Sequence, residues 1–488
     1  MKILLINPTI REHHPPYNFP AGLGIIAAIM IREGYNLRVY DQNALRVSNE
    51  DMCRDLRKIK NVDVIGIGSL ITTYGHLKRL IPELREIFPN AKIIIGGGVT
   101  VEPEVIFENM PVDFCVHGEG EHTFRELCAA IERQEQDFSD IAGISYIEKD
   151  KLTTTAPRPV EQDLDQFPMP AYDMFPAEIY FNNNVIKNLV GIDYGTHQCA
   201  TLLWSRGCPN QCTFCWRMTG RTWRFRSVDL VMEEIAYLRS RYGVDSYLFF
   251  DECINASRKL SIEFATQLIE RGYAAPWYSH ARVSNFDQEL ANLFRRSGCV
   301  GLNFGIESGS LQILAKMKKN VSPQEASNAV ALAREVNIRP VCTFIIGMPS
   351  ETKATIRESI IWIRKNRIRH YVFFFATPYP GCELYYESLV QKRIKEKYGT
   401  KNHFFSTLGD AEDFCINMTD FTDFELLKLR EWAYREASGN WLQRTWLFIF
   451  IRRLYCLLGQ PSRWGTVLRS RIKLLRWITS SSRRRPNG

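Results

Sequence analysis

Short apolar runs alternate with amphipathic stretches over roughly residues 1–133, and this alternation limits the folds that the region can adopt. The apolar runs fall at 2–6, 37–41, 62–68, 91–97 and 112–117, and helical patterns lie between them. Strands separated by helices require crossover connections, which give a parallel sheet covered by helices on both faces. We therefore predict an α/β domain that is doubly wound and flavodoxin-like.

The same alternation resumes at about residue 199 and continues to about residue 390. Strand-like runs fall at 200–205, 246–251, 276–281, 299–306, 340–347 and 370–378, again with helical patterns between them. Six βα units in this length suit an open, partial (β/α)6 barrel of the TIM type better than a flat sheet, although periodicity alone does not separate the two.

A chain of 488 residues is too long for one ordinary core. We predict a first domain at 1–133, a linker at 134–195, a barrel at 196–390 and a mainly helical region at 391–488. The linker carries scattered Pro, Asp and Asn with weak periodicity, so we expect it to pack along the surface.

Charge is distributed unevenly along the chain. The net charge is +8, but eleven Lys and Arg residues and no Asp or Glu lie from Trp441 to Gly488, so the body is slightly acidic. The body therefore gives no indication of nucleic-acid binding. Trp, bulky aliphatic and Arg residues interleave in the tail, which is typical either of a helix lying on a membrane surface or of a helix docked on the body.

Targeting signals are absent from the first residues, which lack the apolar stretch and cleavage site of a signal peptide. The longest apolar run of the tail is also far below the roughly 20 residues that cross a bilayer. We expect a cytoplasmic protein with reduced cysteines, with peripheral contact at the inner face of the membrane if the tail binds lipid.

Glycine and small polar residues follow the strands of the first domain. Gly97 and Gly98 come after the fourth strand, and Gly118, Glu119, Gly120 and Glu121 come after the fifth. The carboxyl ends of parallel strands form one edge of the sheet, where ligands bind and backbone approaches them closely. Glycines also make ordinary tight turns, so spacing alone leaves both interpretations open.

Three cysteines, Cys208, Cys212 and Cys215, are spaced C-x3-C-x2-C directly after the first strand of the barrel. Three thiolates on one loop can hold three irons of a [4Fe–4S] cluster and leave the fourth iron open to another ligand. A zinc knuckle would need a fourth ligand, and the nearest candidates, Cys199 and His197, lie across a predicted strand. We therefore predict a metal centre at these three cysteines.

This motif resembles that of the radical S-adenosylmethionine (SAM) superfamily, in which an aromatic residue precedes the last cysteine, as Phe214 does here. The resemblance implies that SAM chelates the open iron through its amino and carboxylate groups. One electron, from a donor of the flavodoxin or ferredoxin type, then cleaves SAM to methionine and a 5′-deoxyadenosyl radical. The three cysteines are thus the predicted catalytic centre.

Other motifs extend the resemblance over about residues 199–390. "FFDEC" (249–253) places Asp251 and Glu252 where the family accepts hydrogen bonds from the SAM amino group, and "SHARVSN" (279–285) places Arg282 where related enzymes hold its carboxylate. By the same resemblance, Glu307 in "GIESGS" (305–310) contacts the ribose or the amino group. Gly347 in "FIIGMPSET" (344–352) lies against adenine.

The first domain, in "GGGVTVEPE" (96–104) and "HGEGEHTF" (117–124), resembles the B12-binding domain of the cobalamin-dependent (class B) radical enzymes. By that resemblance, Gly97, Gly98, Gly118, Glu119, Gly120 and Glu121 line the corrin and its nucleotide tail. The residues Asp41-Gln42-Asn43 replace the histidine loop of many B12 domains, which predicts cobalt without a protein imidazole below it.

These resemblances lead us to expect methylation of an unactivated carbon of a small-molecule substrate. The alternatives are a radical cyclase or ring-rearranging enzyme and, outside enzymes, a cobalamin or cluster sensor. A membrane-bound tail would suit a lipid-like substrate. Trp216, Trp223 and Tyr278 are candidate substrate contacts, although packing is the commoner role of such rings. A methylthiotransferase is not favoured, because Cys53, Cys115 and Cys128 are not spaced as a second cluster site.

Overall fold

The computed structural model describes residues 1–11 and 15–438. Contacts between Cα atoms divide the chain into two compact units, Met1–Arg430 and Glu431–Gly488. The predicted amphipathic tail from Trp441 onward lies outside the described residues, so its membrane contact stays a prediction. No helix of the described ranges is both long enough and apolar enough to span a bilayer.

The N-terminal sheet has the strand order β2-β1-β3-β4-β5-β6-β7. Its first five strands are parallel, which confirms the predicted flavodoxin-like topology. Four of these strands are largely buried apolar runs, while the second, at the edge of the sheet, is only partly buried. These strands are β1 (Lys2–Asn7), β2 (Asn36–Asp41), β3 (Val64–Gly68), β4 (Lys92–Gly96) and β5 (Phe114–Val116). The helices of this region are α1 (Ala21–Arg32), α2 (Gln42–Leu45), α3 (Asn49–Leu56), α4 (Tyr74–Ile87), α5 (Pro103–Asn109) and α6 (Glu121–Glu132).

The residues that follow extend this sheet. Strand β6 (Ile144–Glu148) pairs antiparallel with β5, and β7 (Lys151–Thr154) pairs antiparallel with β6. Short 3-10 turns at Leu164–Gln166 and Tyr172–Met174 come next, followed by α7 (Ala177–Phe181) and α8 (Val185–Val190). The sheet therefore runs past residue 133, while the domain boundaries themselves stay predictions.

The second sheet is fully parallel, and its six strands lie in chain order, β8-β11-β12-β13-β14-β15. This order confirms the predicted open, partial barrel. Its strands are β8 (Cys199–Leu202), β11 (Ser246–Phe249), β12 (Trp277–Ala281), β13 (Cys299–Glu307), β14 (Arg339–Ile346) and β15 (His370–Phe375). Its helices are α9 (Val228–Tyr242), α10 (Arg258–Glu270), α11 (Gln288–Arg296), α12 (Leu311–Lys316), α13 (Pro323–Glu335) and α14 (Lys353–Lys365).

Helix α8 fills the inside of the barrel at the amino ends of the strands. Val185, Ile186 and Val190 form a buried cluster with Leu248 and Tyr278 of neighbouring strands. The expectation that residues 134–195 pack along the surface is therefore wrong. The apolar side chains of this segment, too few to form a core alone, are buried against strands far away in the sequence.

The region after the barrel is mainly helical, as predicted. Its helices are α15 (Glu383–Tyr386), α16 (Ser388–Tyr398), α17 (Lys401–Thr407) and α18 (Asp423–Ala437). Phe404 and Phe405 of α17 are buried in the same core as Tyr74 of α4, so this region also covers the N-terminal sheet.

Candidate active site

A short hairpin holds the cysteine loop at the carboxyl ends of the barrel strands. Strands β9 (Ser205–Arg206) and β10 (Arg224–Phe225) pair antiparallel, and the three cysteines lie between them. Gly207 opens the loop with φ +87°, where an added Cβ would lie 2.1 Å from the Thr222 oxygen. Only glycine fits this turn.

Hydrogen bonds anchor the middle of the loop to distant segments. The Thr213 amide donates to the Met317 carbonyl at 3.0 Å, and the Leu384 amide donates to the Thr213 carbonyl at 2.8 Å. The loop is thus fixed to the end of α12 and the start of α15.

All three cysteines of the loop are free thiols, with Cys212 buried and Cys215 exposed. Burial raises the pKa of Cys212; the cation of Lys319 opposes this effect, while the charges of Glu307 and Cys208 reinforce it. Cys208 and Cys212 also act electrostatically on Cys215. In the described ranges no three His, Cys, Asp or Glu side chains converge as a metal site. Three free thiols on one loop, near enough to influence one another, nevertheless fit the donor set of a cluster that binds through three sulfurs.

Asp251 and Glu252 follow β11 but have different surroundings. Asp251 is buried, and its Oδ1 accepts from the Trp204 amide at 2.9 Å and from the Ser205 hydroxyl at 2.7 Å, while Oδ2 has no partner among the described residues. Burial raises the pKa of Asp251 to about 6. Glu252 is exposed and accepts from the Thr219 hydroxyl at 2.9 Å. Of the two carboxylates, Glu252 is therefore the one beside the cysteine loop.

Arg282 is positioned by Asn255, a residue that the sequence analysis did not select. The Asn255 Oδ1 accepts from the Arg282 amide at 2.8 Å, and its Nδ2 donates to the Arg282 carbonyl at 2.9 Å. The guanidinium is near enough to Cys212 to oppose the rise in the pKa of that thiol. Arg282 thus lies within electrostatic range of the cysteine loop.

Glu307 ends β13 in a strained conformation. Its φ is +62°, in the left-handed region that residues other than glycine rarely adopt. The pairing register between β13 and β14 also shifts at this point. Its Oε1 lies 3.2 Å from the Lys319 Nζ. A Cβ on Gly305 would lie 2.3 Å from that same oxygen, so the glycine makes room for the carboxylate. Strain at a buried charged residue is typical of functional sites.

Gly347 follows β14 with φ +100°. Its amide donates to the Glu351 carboxylate at 2.5 Å. Glu351 is buried, and this burial raises its pKa to about 8, although hydrogen bonds from the Gly347 and Met348 amides oppose the rise. Glu351 therefore holds the turn that contains the predicted adenine contact.

On the N-terminal sheet, Gly97 and Gly98 lie where the backbone is closely approached. Gly97 has φ +83°, and an added Cβ would lie 2.5 Å from the Ser69 oxygen. A Cβ on Gly98 would lie 2.7 Å from Cζ3 of Trp216, which directly follows Cys215. The five-membered ring of the same indole lies close to Gly381, where an added Cβ would be 2.5 Å from Trp216 Nε1. The glycine rim and the cysteine loop are therefore in contact.

The turn after β5 makes the second contact with the cysteine hairpin. Gly118 has φ +67° and open space around it, and Gly120 precedes α6. Glu119 forms a two-bond ion pair with Arg224, and Glu121 pairs with Arg206 at 2.6 Å. Burial alone would raise the pKa of Glu119, but both arginines outweigh it and lower that pKa.

The segment Asp41-Gln42-Asn43 after β2 is closed by its own hydrogen bonds. Asp41 accepts from the Asn7 side chain at 2.8 Å and from the Tyr180 hydroxyl at 2.9 Å, and Asn43 also contacts that hydroxyl. The polar side chains of this loop are thus engaged within the protein. Cobalt without a protein imidazole stays a prediction.

The structure thus brings the cysteine loop together with Glu252, Arg282 and Glu307. It places Asp251 and Gly347 in the supporting layer, while their ligand roles, like those of the rim residues, stay predictions. Sequence reasoning missed Lys319, Asn255, Arg206 and Arg224. Only the arginine beside the first cysteine, in "SRGC", gave a signal that could have been noticed.

Two family models match the chain. Residues 202–363 match the Radical SAM superfamily, and residues 11–128 match the B12 binding domain. These matches confirm the predicted cofactors, which are S-adenosylmethionine, a [4Fe–4S] cluster and cobalamin.

Individual proteins agree with these matches. An uncharacterized methyltransferase of Pyrococcus horikoshii is 30% identical over 446 residues, which are 89% of this chain and 92% of the relative. An anaerobic magnesium-protoporphyrin IX monomethyl ester cyclase of Rubrivivax gelatinosus is 26% identical over 79% of this chain and 70% of its own length.

Among solved structures, the fold is similar to that of the radical S-adenosylmethionine methyltransferase TsrM from Kitasatospora setae, solved with tryptophan substrate and a SAM analogue. The TM-score is 0.67 at 20% identity, over 80% of this chain and 76% of that one. The predicted enzyme class is confirmed: the chain is an enzyme of the radical SAM superfamily and belongs to the branch that carries a B12-binding domain.

Proposed function

We propose that the protein methylates an unactivated carbon atom of a small-molecule substrate. The observation that carries this proposal is the convergence of two sets of residues on one loop. The charges of Glu307, Lys319 and Arg282 lie within electrostatic range of Cys212. On the other side of the loop sequence, Gly98 contacts Trp216, the residue after Cys215. A SAM site at the first set of residues and a cobalamin site at the second would suit an enzyme that uses both cofactors on one substrate.

The charged residues around Cys212 suit an amino acid bound at the open iron. Lys319 and Arg282 are cations that could hold the SAM carboxylate, and Glu252 and Glu307 could accept hydrogen bonds from its amino group or ribose. The bound cofactors supply a carbon radical and a methyl group; the protein binds and orients the reactants and keeps water away.

Inside the barrel, one layer of side chains suits a substrate. His280 and Asn303 are paired in the β12–β13 register, and the Phe250 and His280 rings meet edge to face with their centroids 5.4 Å apart. Phe250 is 43% exposed although it faces the barrel interior, and Asn303 Oδ1 accepts no hydrogen bond from the described residues. Burial lowers the pKa of His280, which favours the neutral ring. An apolar ring that carries a hydrogen-bond donor would fit between these groups.

The test uses protein reconstituted without oxygen with iron, sulfide and hydroxocobalamin. It is reduced with titanium(III) citrate or reduced flavodoxin and given SAM that is deuterated in its methyl group. We expect both 5′-deoxyadenosine and S-adenosylhomocysteine, the second because methyl transfer to the bound cofactor leaves it behind. The Cys212→Ala variant should form no 5′-deoxyadenosine, because it lacks one cluster ligand.

A second candidate is a radical cyclase, favoured by the similarity to the magnesium-protoporphyrin cyclase over 79% of this chain. Such an enzyme would form 5′-deoxyadenosine without S-adenosylhomocysteine. The two products measured by mass spectrometry therefore separate the two functions.

A further inference from the structure

Four charged side chains join the N-terminal sheet to the hairpin that carries the cysteine loop. Glu119 Oε1 lies 2.8 Å from Arg224 Nη2, and its Oε2 lies 2.9 Å from Arg224 Nη1. Arg206 bonds Glu121 at 2.6 Å and lies 3.3 Å from Glu119. We call these four residues the interdomain clamp.

The clamp is buried. The exposed fractions of the side chains are 2% for Arg224, 5% for Glu121, 9% for Glu119 and 14% for Arg206. Arg224 also donates to the carbonyls of Glu161 and Thr219. Ion pairs with this geometry and burial are strong and are poorly screened by salt.

The position of the clamp links it to the chemistry. Arg206 ends β9 two residues before Cys208, and Arg224 begins β10 at the other end of the loop. The Thr219 carbonyl accepts a hydrogen bond from Arg224. The Thr219 hydroxyl accepts one from the Gly207 amide and donates one to the Glu252 carboxylate. A displacement of Glu119 would therefore reach both the start of the cysteine loop and the carboxylate beside it.

We propose that Glu119, Glu121, Arg206 and Arg224 are positioning residues that fix the cysteine loop against the glycine rim, and that the two glutamates do not bind the corrin. The proposal rests on the proposed function, because fixing this distance matters only if groups bound on the two sides react with each other. Both carboxylates are already engaged by arginines, which leaves the neighbouring glycine backbone for a ligand.

The experiment compares Glu119→Gln, Glu121→Gln and Arg224→Gln with the wild-type full chain. The matched control is Glu126→Gln, which breaks the Arg158–Glu126 ion pair of the same region without touching the hairpin. Hydroxocobalamin binding is measured by equilibrium dialysis. Hydrogen exchange of residues 207–222 is measured on protein without cofactors, and the two SAM products are measured in a single turnover.

If the four residues are positioning residues, the three variants should bind cobalamin with a Kd within about 2-fold of wild type. Their backbone amides at 207–222 should exchange hydrogen faster. Their S-adenosylhomocysteine formation should be slowed by about 100-fold, because a misplacement of about 1 Å has an effect of that size. Formation of 5′-deoxyadenosine should fall clearly less than S-adenosylhomocysteine formation, because the three cysteines and the SAM that they would hold stay on one loop, whereas the distance from that loop to the glycine rim changes. The control variant should match wild type in all four measurements.

A cobalamin Kd weakened about 10-fold or more with unchanged exchange would show that the glutamates bind the corrin and would overturn the proposal. Equal loss of both SAM products would show that the four residues only stabilise the fold. This result would also overturn the proposal. If wild type forms no S-adenosylhomocysteine, the proposed function fails, while the exchange and binding measurements still decide the clamp. Glu121→Gln, which loses only the bond to Arg206, gives a milder variant if Arg224→Gln does not fold.

Discussion

Lys319 Nζ lies 3.2 Å from Glu307 Oε1, and the two side chains are 17% and 10% exposed. Burial disfavours the ammonium, but the charge of Glu307 outweighs it and raises the pKa of Lys319. The two side chains thus form a largely buried ion pair within electrostatic range of Cys212.

Lys319→Met should destabilise the protein by about 3 kcal/mol, because it leaves the Glu307 carboxylate buried without its cation. Adding Glu307→Gln should restore part of that loss. Urea unfolding measures both. Lys316→Met, which loses an exposed bond to Ser350 on the preceding helix, should stay within about 0.5 kcal/mol of wild type. An equal effect of the two lysine variants would contradict the buried pair.

The free energy of unfolding should fall as pH rises, because burial raises the pKa of Glu351. Its pKa is about 8 in the folded protein and 4.5 as the ordinary value, so the folded state binds the extra proton. The contribution is present in full below about pH 4.5 and is lost as pH rises to about 8, by up to roughly 5 kcal/mol. Glu351→Gln removes this titration and keeps an acceptor for Gly347. Relative to wild type, the variant should therefore become more stable as pH rises from 5 to 8. A difference in unfolding free energy that stays constant over this range would contradict the raised pKa of Glu351.

Gly98→Ala should cost about 1–3 kcal/mol of stability, because the new methyl group would lie 2.7 Å from the Trp216 ring, which Gly381 also approaches closely. Gly22→Ala is the control, since its Cβ would meet no described atom within 4 Å and α1 should gain up to about 1 kcal/mol. Thermal and urea unfolding report both. If the two alanines behave alike, the close approach of rim and loop is wrong.

Gly301→Ala tests the seating of α8 in the barrel. The added Cβ would lie 2.4 Å from Val190 Cγ1 and 2.9 Å from the Tyr278 ring, so we expect a loss of about 1–3 kcal/mol. Val190→Ala makes a cavity and is also destabilising on its own. The double variant should be less destabilised than the sum of the two, because each change makes room for the other. Strict additivity would argue against direct contact.

Residues whose roles depend on local pattern could be predicted from the sequence. Val64–Gly68 is apolar throughout and becomes a central strand, because a strand covered on both faces buries every side chain. The three cysteines likewise lie on one loop, as their spacing predicts, because only a few residues separate them in the chain.

Features that depend on distant partners could not be predicted. Lys319 belongs to the run "KMKKN", which on pattern alone is typical of a solvated surface. The chain returns through α12, which lies between the two residues, and so brings Lys319 to the Glu307 carboxylate. Val190 lies in a six-residue helix too short for periodicity to reveal its buried face. Arg224, which forms two hydrogen bonds with Glu119, lies 105 positions away in the sequence.

Helix α8 occupies the amino-terminal mouth of the barrel, which leaves the carboxyl-terminal mouth, beside the cysteines and the glycine rim, for traffic. A small molecule bound between His280 and Asn303 would therefore be expected to enter the barrel past the cysteine loop.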